Sequence, residues 1–162
     1  MHPVVTRRDL LLGLGASTLA CGPRPRGTQS PAADGTVALR PADAVFEQVI
    51  AGRVTVIDFW ATWCEPCRDS IPKVIALSQA ERARGLVVVG VHVGHGFEQA
   101  LAFASEAGID YALFADPEFR LSQHYGARNV PTVVVLDRDG RELLRGDEVD
   151  DAMRQAIAAA LV

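Results

Sequence analysis

The chain predicts an α/β fold, a sheet layered by helices, and three observations carry the prediction. From Thr36 onward, runs rich in β-branched and aromatic residues alternate with stretches whose apolar residues recur at helical spacing. Asp139-Gly140, a strong turn signal, joins two of the later runs as a hairpin. Two thiols, Cys64 and Cys67, stand two residues apart where a hydrophobic run gives way to a helical one.

The elements follow in order. Residues 36–39 read as a short strand and 42–51 as a helix. Val54-Thr55-Val56-Ile57-Asp58-Phe59 has the content of a buried central strand. Residues 64–84 carry helical periodicity, and 86–93 read as the next parallel strand. A helix is expected over 97–107, with Phe97, Leu101 and Ala104 on its inner face. Residues 111–115 form a short extended piece and 119–125 one or two helical turns. Residues 132–136 and 142–145 pair through the turn Asp137-Arg138-Asp139-Gly140. The tail over 149–161 places Val149, Met153, Ile157 and Leu161 four apart, a stripe for packing on the sheet.

The cysteine spacing points to redox chemistry. A thiol attacks a disulfide only as the thiolate, and a helix N-terminus offers unpaired N–H groups and partial positive charge that favour the anion. Cys64 is therefore the expected nucleophile. Cys67, within the first helical turn, is close enough to close a disulfide and resolve a mixed one. Structural zinc needs more ligands, and no second Cys-x-x-Cys or His-x-x-x-His pair is present. Asp58, an acid in the middle of an apolar strand, is costly to bury, so its pKa should rise toward the range a proton acceptor for Cys67 requires.

The segment Trp60-Ala61-Thr62-Trp63-Cys64-Glu65-Pro66-Cys67-Arg68 resembles the thioredoxin superfamily, and within it the extracytoplasmic TlpA/ResA-like thiol-disulfide reductases. The resemblance implies a thioredoxin-like fold, a central mixed sheet flanked by helices, with the TlpA/ResA-type insertion after the first βαβ unit. It makes Asp58 the buried acid that handles the proton of the second cysteine. Trp60 and Trp63 frame the site, and Pro72 kinks the long helix. It further implies a cis bond between Val130 and Pro131, packed on the cysteines, leaving the Val130 backbone to pair with an extended substrate.

One departure stands out. Where TlpA/ResA-like proteins often carry a glutamate near the disulfide, this chain reads Val91-His92-Val93-Gly94-His95-Gly96, and His95 takes the glutamate's place. A histidine there would relay protons in a different pH window. His92 lies inside the strand pattern and is expected to be packed, and His124 is expected at the surface.

The leading expectation is thus an extracytoplasmic oxidoreductase that reduces protein disulfides with electrons from a membrane donor, and the resemblance implies targets such as oxidised apocytochrome c, in cytochrome c maturation, or a copper-site assembly protein. It needs no cofactor beyond the Cys64/Cys67 pair. Glu65 adds negative charge beside Cys64 and disfavours a strongly oxidising poise. The alternative is a Cu(I)-handling protein using Cys64, Cys67 and His95, a donor set that suits that soft ion. An isomerase would need a dimerisation region, which is not read here, so a monomer is expected.

Composition narrows the classes. With 162 residues, 49% hydrophobic and 22% charged, the chain fits one globular domain with a sizeable core. Net charge is −4, and without residues 1–20 the remaining 14 basic and 19 acidic residues leave −5, which argues against a nucleic-acid partner.

Residues 1–20 read as an export signal. Arg7 and Arg8 precede a modest apolar run ending at Ala20, resembling a twin-arginine leader. Cys21 follows directly, similar to the lipidated cysteine of bacterial lipoproteins, which would anchor the protein on the periplasmic side of the membrane. Residues 21–35, rich in proline, glycine and serine, read as a flexible tether, and 36–162 as the folded domain.

Overall fold

The computed structural model describes residues 39–162, and side chains from Val45 onward. The expected leader, the tether, Cys21 and the first three residues of the expected opening strand lie outside the described residues.

Among the described residues, six strands and five α-helices alternate except where β5 runs directly into β6. β1 (Leu39–Pro41) leads into α1 (Ala42–Ile50), β2 (Thr55–Trp60) into α2 (Glu65–Glu81), and β3 (Val87–Val93) into α3 (Phe97–Ala107). β4 (Ala112–Asp116), α4 (Arg120–His124), β5 (Thr132–Leu136), β6 (Glu142–Gly146) and α5 (Asp151–Ala160) complete the chain. The strands form one sheet in the order β1-β4-β3-β2-β5-β6. β1, β4, β3 and β2 run parallel, and β5 and β6 are antiparallel to their neighbours, so the sheet is mixed as expected. Of the helix and strand after the first βαβ unit, β4 enters the sheet between β3 and β1, and α3 packs on its face through Ala100 and Ala104.

β2 is buried along its whole length. Its period-two alternation sends Ile57 and Phe59 to one face, where they pack with Phe46, Val91 and Phe114. Val56, Asp58 and Trp60 alternate to the other face. There Val56 packs with Val74 and Leu77 of α2 and Met153 and Ile157 of α5, while Trp60 joins a cluster shared by α2 and α3. Asp58 therefore enters an apolar face because of its parity along the strand.

Local chemistry sets the element ends. α2 stops at Glu81 and passes through a 3₁₀ turn over Arg82–Arg84 to Gly85, whose φ of 97° is a left-handed conformation that suits glycine. Pro72 lies inside α2, where it supplies no N–H to the helix ladder. α5 begins at Asp151 because the Asp150 carboxylate caps it, accepting from the Met153 N–H at 2.7 Å. Val149, Met153 and Ile157 of the expected tail stripe are buried, whereas Leu161 is the C-cap and only partly so.

One expected packing face is corrected. α3 has the expected ends, yet its buried residues are Ala100 and Ala104, one turn apart, while Phe97 is 39% exposed. The two alanines bring the helix onto the cluster of Trp60, Ile71 and Leu113, and Phe103 of the same helix packs at its edge.

Candidate active site

Cys64 is the N-cap of α2, with the backbone extended at φ −87° and ψ 103°. Its Sγ accepts a hydrogen bond from the Cys67 N–H at 3.2 Å, satisfying one of the donors that a helix start leaves unpaired. Pro66, in the first turn, costs the helix no bond there. Cys64 and Cys67 are joined as a disulfide with a Cα–Cα distance of 5.4 Å. Cys64 retains 3% exposure and Cys67 none, so a partner thiol reaches Cys64 first.

The polar surroundings are layered. Glu65, beside the nucleophile, pairs with Arg68 at 3.5 Å, so its charge is partly compensated within the same helical turn. The Arg68 guanidinium lies 5.0 Å over the Phe103 ring, Phe103 lies 5.3 Å from Trp60, and Trp60 meets His92 edge-on at 4.9 Å. Trp60 is fully buried in the cysteine cluster, and Trp63 is 71% exposed.

Asp58 is fully buried. Burial pushes its pKa up from 3.8 to about 7, while a hydrogen bond donated by the Tyr111 hydroxyl to Oδ2 at 3.2 Å pulls in the other direction. Oδ1 has no partner among the described residues. The Tyr111 hydroxyl is held well above its ordinary pKa by burial and by the neighbouring Asp58 charge.

A cis-proline stands just before β5, as the resemblance implied. Val130-Pro131 is a cis peptide bond; Pro131 is buried, and the Val130 side chain packs against the cluster containing both cysteines. The Thr132 hydroxyl donates to the Asn129 carbonyl at 2.7 Å, tying the approach loop to the start of β5.

The histidines separate. His92 is fully buried, and burial lowers its pKa; neither ring nitrogen has a partner among the described residues. His124 is exposed. His95 is exposed in the turn between β3 and α3, flanked by Gly94 and Gly96 at positive φ. Among the described residues, no group of three His, Cys, Asp or Glu side chains is placed to hold a metal ion, with Cys64 and Cys67 joined as a disulfide. No described helix is long and apolar enough to cross a membrane.

Sequence reasoning missed Tyr111, Phe103 and Gly90. Tyr111 begins a short extended piece and Phe103 lies in an expected helix with no role read from it; sheet order brings Tyr111 to Asp58, and the packing of α3 brings Phe103 to Trp60.

A mixed sheet with a helix-capping Cys-x-x-Cys disulfide and a buried aspartate on one of its faces, and a cis-proline just before the neighbouring strand, defines a thioredoxin-like redox protein. The chain belongs to the Redoxin family, whose profile matches residues 25–161. It is 35% identical over 109 residues to the thiol:disulfide interchange protein HelX of Rhodobacter capsulatus, a match covering 65% of this chain and 60% of that protein. It is 24% identical over 106 residues to the thiol-disulfide oxidoreductase ResA of Geobacillus thermodenitrificans, covering 64% and 61%. The chain thus spans about three fifths of the length of these curated relatives. Among solved structures, a candidate DsbE thiol:disulfide interchange protein from Chlorobium tepidum superposes with a TM-score of 0.64 at 32% identity, covering 69% of this chain and 82% of that one. Together these place the chain among the TlpA/ResA-like members of the thioredoxin superfamily.

Proposed function

We propose that this protein is a thiol-disulfide oxidoreductase that reduces disulfides in protein substrates outside the cytoplasm. The observation that carries the reading is the Cys64–Cys67 disulfide at the N-terminus of α2, on the same side of the sheet as the buried Asp58. The names borne by HelX and ResA support the same chemistry.

In the reduced protein, the Cys64 thiolate attacks one sulfur of a substrate disulfide. The substrate S–S bond breaks, a mixed disulfide forms, and one substrate thiolate leaves. Asp58 takes the proton of Cys67, whose thiolate attacks Cys64 Sγ. The mixed disulfide breaks, the second substrate thiolate leaves, and the Cys64–Cys67 bond forms. Two electrons have passed to the substrate, and the proton held by Asp58 is free to reach a departing thiolate. Trp63 and the Val130 backbone, beside cis-Pro131, hold the substrate chain.

The sequence supplies the rest of the proposal. Export by residues 1–20, a lipid on Cys21 and a tether over 21–35 would station a monomeric domain on the periplasmic face of a membrane, where a membrane donor returns it to the dithiol. Oxidised apocytochrome c is a fitting class of substrate. His95 is assigned no step.

The test is the equilibrium reduction potential of the Cys64/Cys67 pair. A value near thioredoxin's, about −270 mV, is expected of a reductant; one near about −120 mV would reverse the proposed direction of electron flow.

A further inference from the structure

Gly90 stands directly opposite Asp58 in the β2–β3 ladder and opposite Leu113 in the β3–β4 ladder. A Cβ at this position would lie 2.5 Å from Leu113 Cδ2, 3.0 Å from Tyr111 Cε2 and 3.2 Å from Trp60 Nε1. The space a side chain would fill is therefore taken first by the Leu113 side chain and then by the Tyr111 ring and the Trp60 indole. Tyr111 itself precedes β4, one strand beyond β3, and reaches Asp58 only by crossing the strand between them at its one residue without a side chain.

The chain before β4 is held from outside. The Asp110 carboxylate accepts from Gln79 Nε2 at 3.3 Å and pairs with the Arg82 guanidinium, so the residue next to Tyr111 is fastened to the far end of α2. Tyr111 is thereby fixed at both ends, by Asp110 through the backbone and by Asp58 through its hydroxyl.

We infer that Tyr111 is a positioning residue for proton transfer: laid across Gly90, its phenol occupies Oδ2 of Asp58 and leaves the buried Oδ1 as the oxygen that takes the Cys67 proton. The inference rests on the oxidoreductase reading above. It adds a residue, and a glycine that admits it, to a site otherwise defined by the cysteines, the aspartate and the cis-proline.

Few titratable groups face Asp58. Its ladder partners Gly90 and Val133 carry none, and α5 brings Met153 and Ile157 to that face. α2 contributes the two cysteines, β3 contributes His92 two residues beyond Gly90, and the segment before β4 contributes Tyr111, with the Asp110 charge behind it. The tyrosine is the only one of these that hydrogen-bonds the carboxylate.

The direction of the effect follows. A hydroxyl donating to a carboxylate favours the charged form, so removing it makes Asp58 hold its proton to higher pH. In the full oxidised chain, Tyr111→Phe should raise the Asp58 titration midpoint, read from its ¹³C carboxyl resonance, by about one pH unit. Gly90→Ala, which keeps the hydroxyl but crowds the ring, should move it the same way. With the reduced chain, the pH profile of disulfide reduction should shift upward in Tyr111→Phe and show no such shift when Asp58→Asn is already present.

An Asp58 midpoint that stays put or falls in Tyr111→Phe overturns the inference, as does a raised midpoint with an unmoved pH profile. The resonance needs no turnover. An inactive wild-type protein would overturn the oxidoreductase reading instead, leaving the contact itself tested.

Discussion

The N–H of Cys67 donates to the Sγ of Cys64 across 3.2 Å, so the resolving cysteine's own backbone serves the helix cap that its partner provides. The same geometry that favours a thiolate at Cys64 keeps Cys67 one turn away and shielded from solvent. A division of labour between the two sulfurs follows, and it can be checked by trapping.

In Cys67→Ser, the mixed disulfide between Cys64 and a substrate cannot be resolved from within. Incubating the reduced variant with a peptide disulfide should give a stable adduct, seen by mass spectrometry under non-reducing conditions and released by dithiothreitol. Cys64→Ser should give little or none. The opposite pattern would exchange the two roles.

Asp58 gives a pH prediction with a definite sign. Its folded-state pKa, about 7, lies above the 3.8 of the free side chain, so the folded protein binds more protons than the unfolded chain between those values. Stability from this group therefore falls as pH rises from about 4 to above 7. Asp58→Asn removes the ionisation. The variant should gain stability relative to wild type on going from pH 4 to pH 8, by on the order of a few kcal/mol. Urea unfolding at the two pH values measures it, and an equal gap at both would refute the assignment.

The loop beyond β4 depends on Asp116. Its buried carboxylate accepts from the Leu121 N–H at 3.1 Å and the Ser122 N–H at 2.8 Å, while its carbonyl accepts from Gly94 N at 3.0 Å. Asp116→Ala leaves two donors unpaired and should cost about 1–3 kcal/mol in chemical unfolding, with Asp116→Asn milder. Equal losses in the two variants would mean that the carboxylate's acceptor role is not what stabilises the loop.

Trp63 should separate binding from folding. With 71% exposure it adds little to the core, so Trp63→Ala should change stability by no more than about 0.5 kcal/mol. If the indole grips substrate, KM for a peptide disulfide should rise by up to about tenfold with kcat nearly unchanged. A loss of stability without a change in KM would assign the residue to packing.

Much of this was legible before any coordinates. The β-branched and aromatic content of residues 54–59 located β2, and the thiol spacing at the next helix start located the nucleophile. The place of Asp58 in the middle of an apolar strand, between Ile57 and Phe59, announced a buried acid. The face of α3 was misread because helical spacing fits both Phe97/Leu101/Ala104 and Ala100/Ala104, and only the closeness of the neighbouring cluster selects the alanines. The expected role of His95 rested on its place in the sequence, which does not say whether a loop turns its side chain inward.

By itself, the sequence determined the redox pair, the strand and helix that present it, and the acid beneath it, because each depends on residues within a few positions of one another. The tertiary structure decided what surrounds that acid. Tyr111 is 53 residues from Asp58 in the chain and meets it only because β4 is inserted beside β3 and Gly90 leaves the crossing open. Local periodicity carries no information about which distant strand becomes a neighbour; sheet order sets that, and the whole chain's packing sets the sheet order.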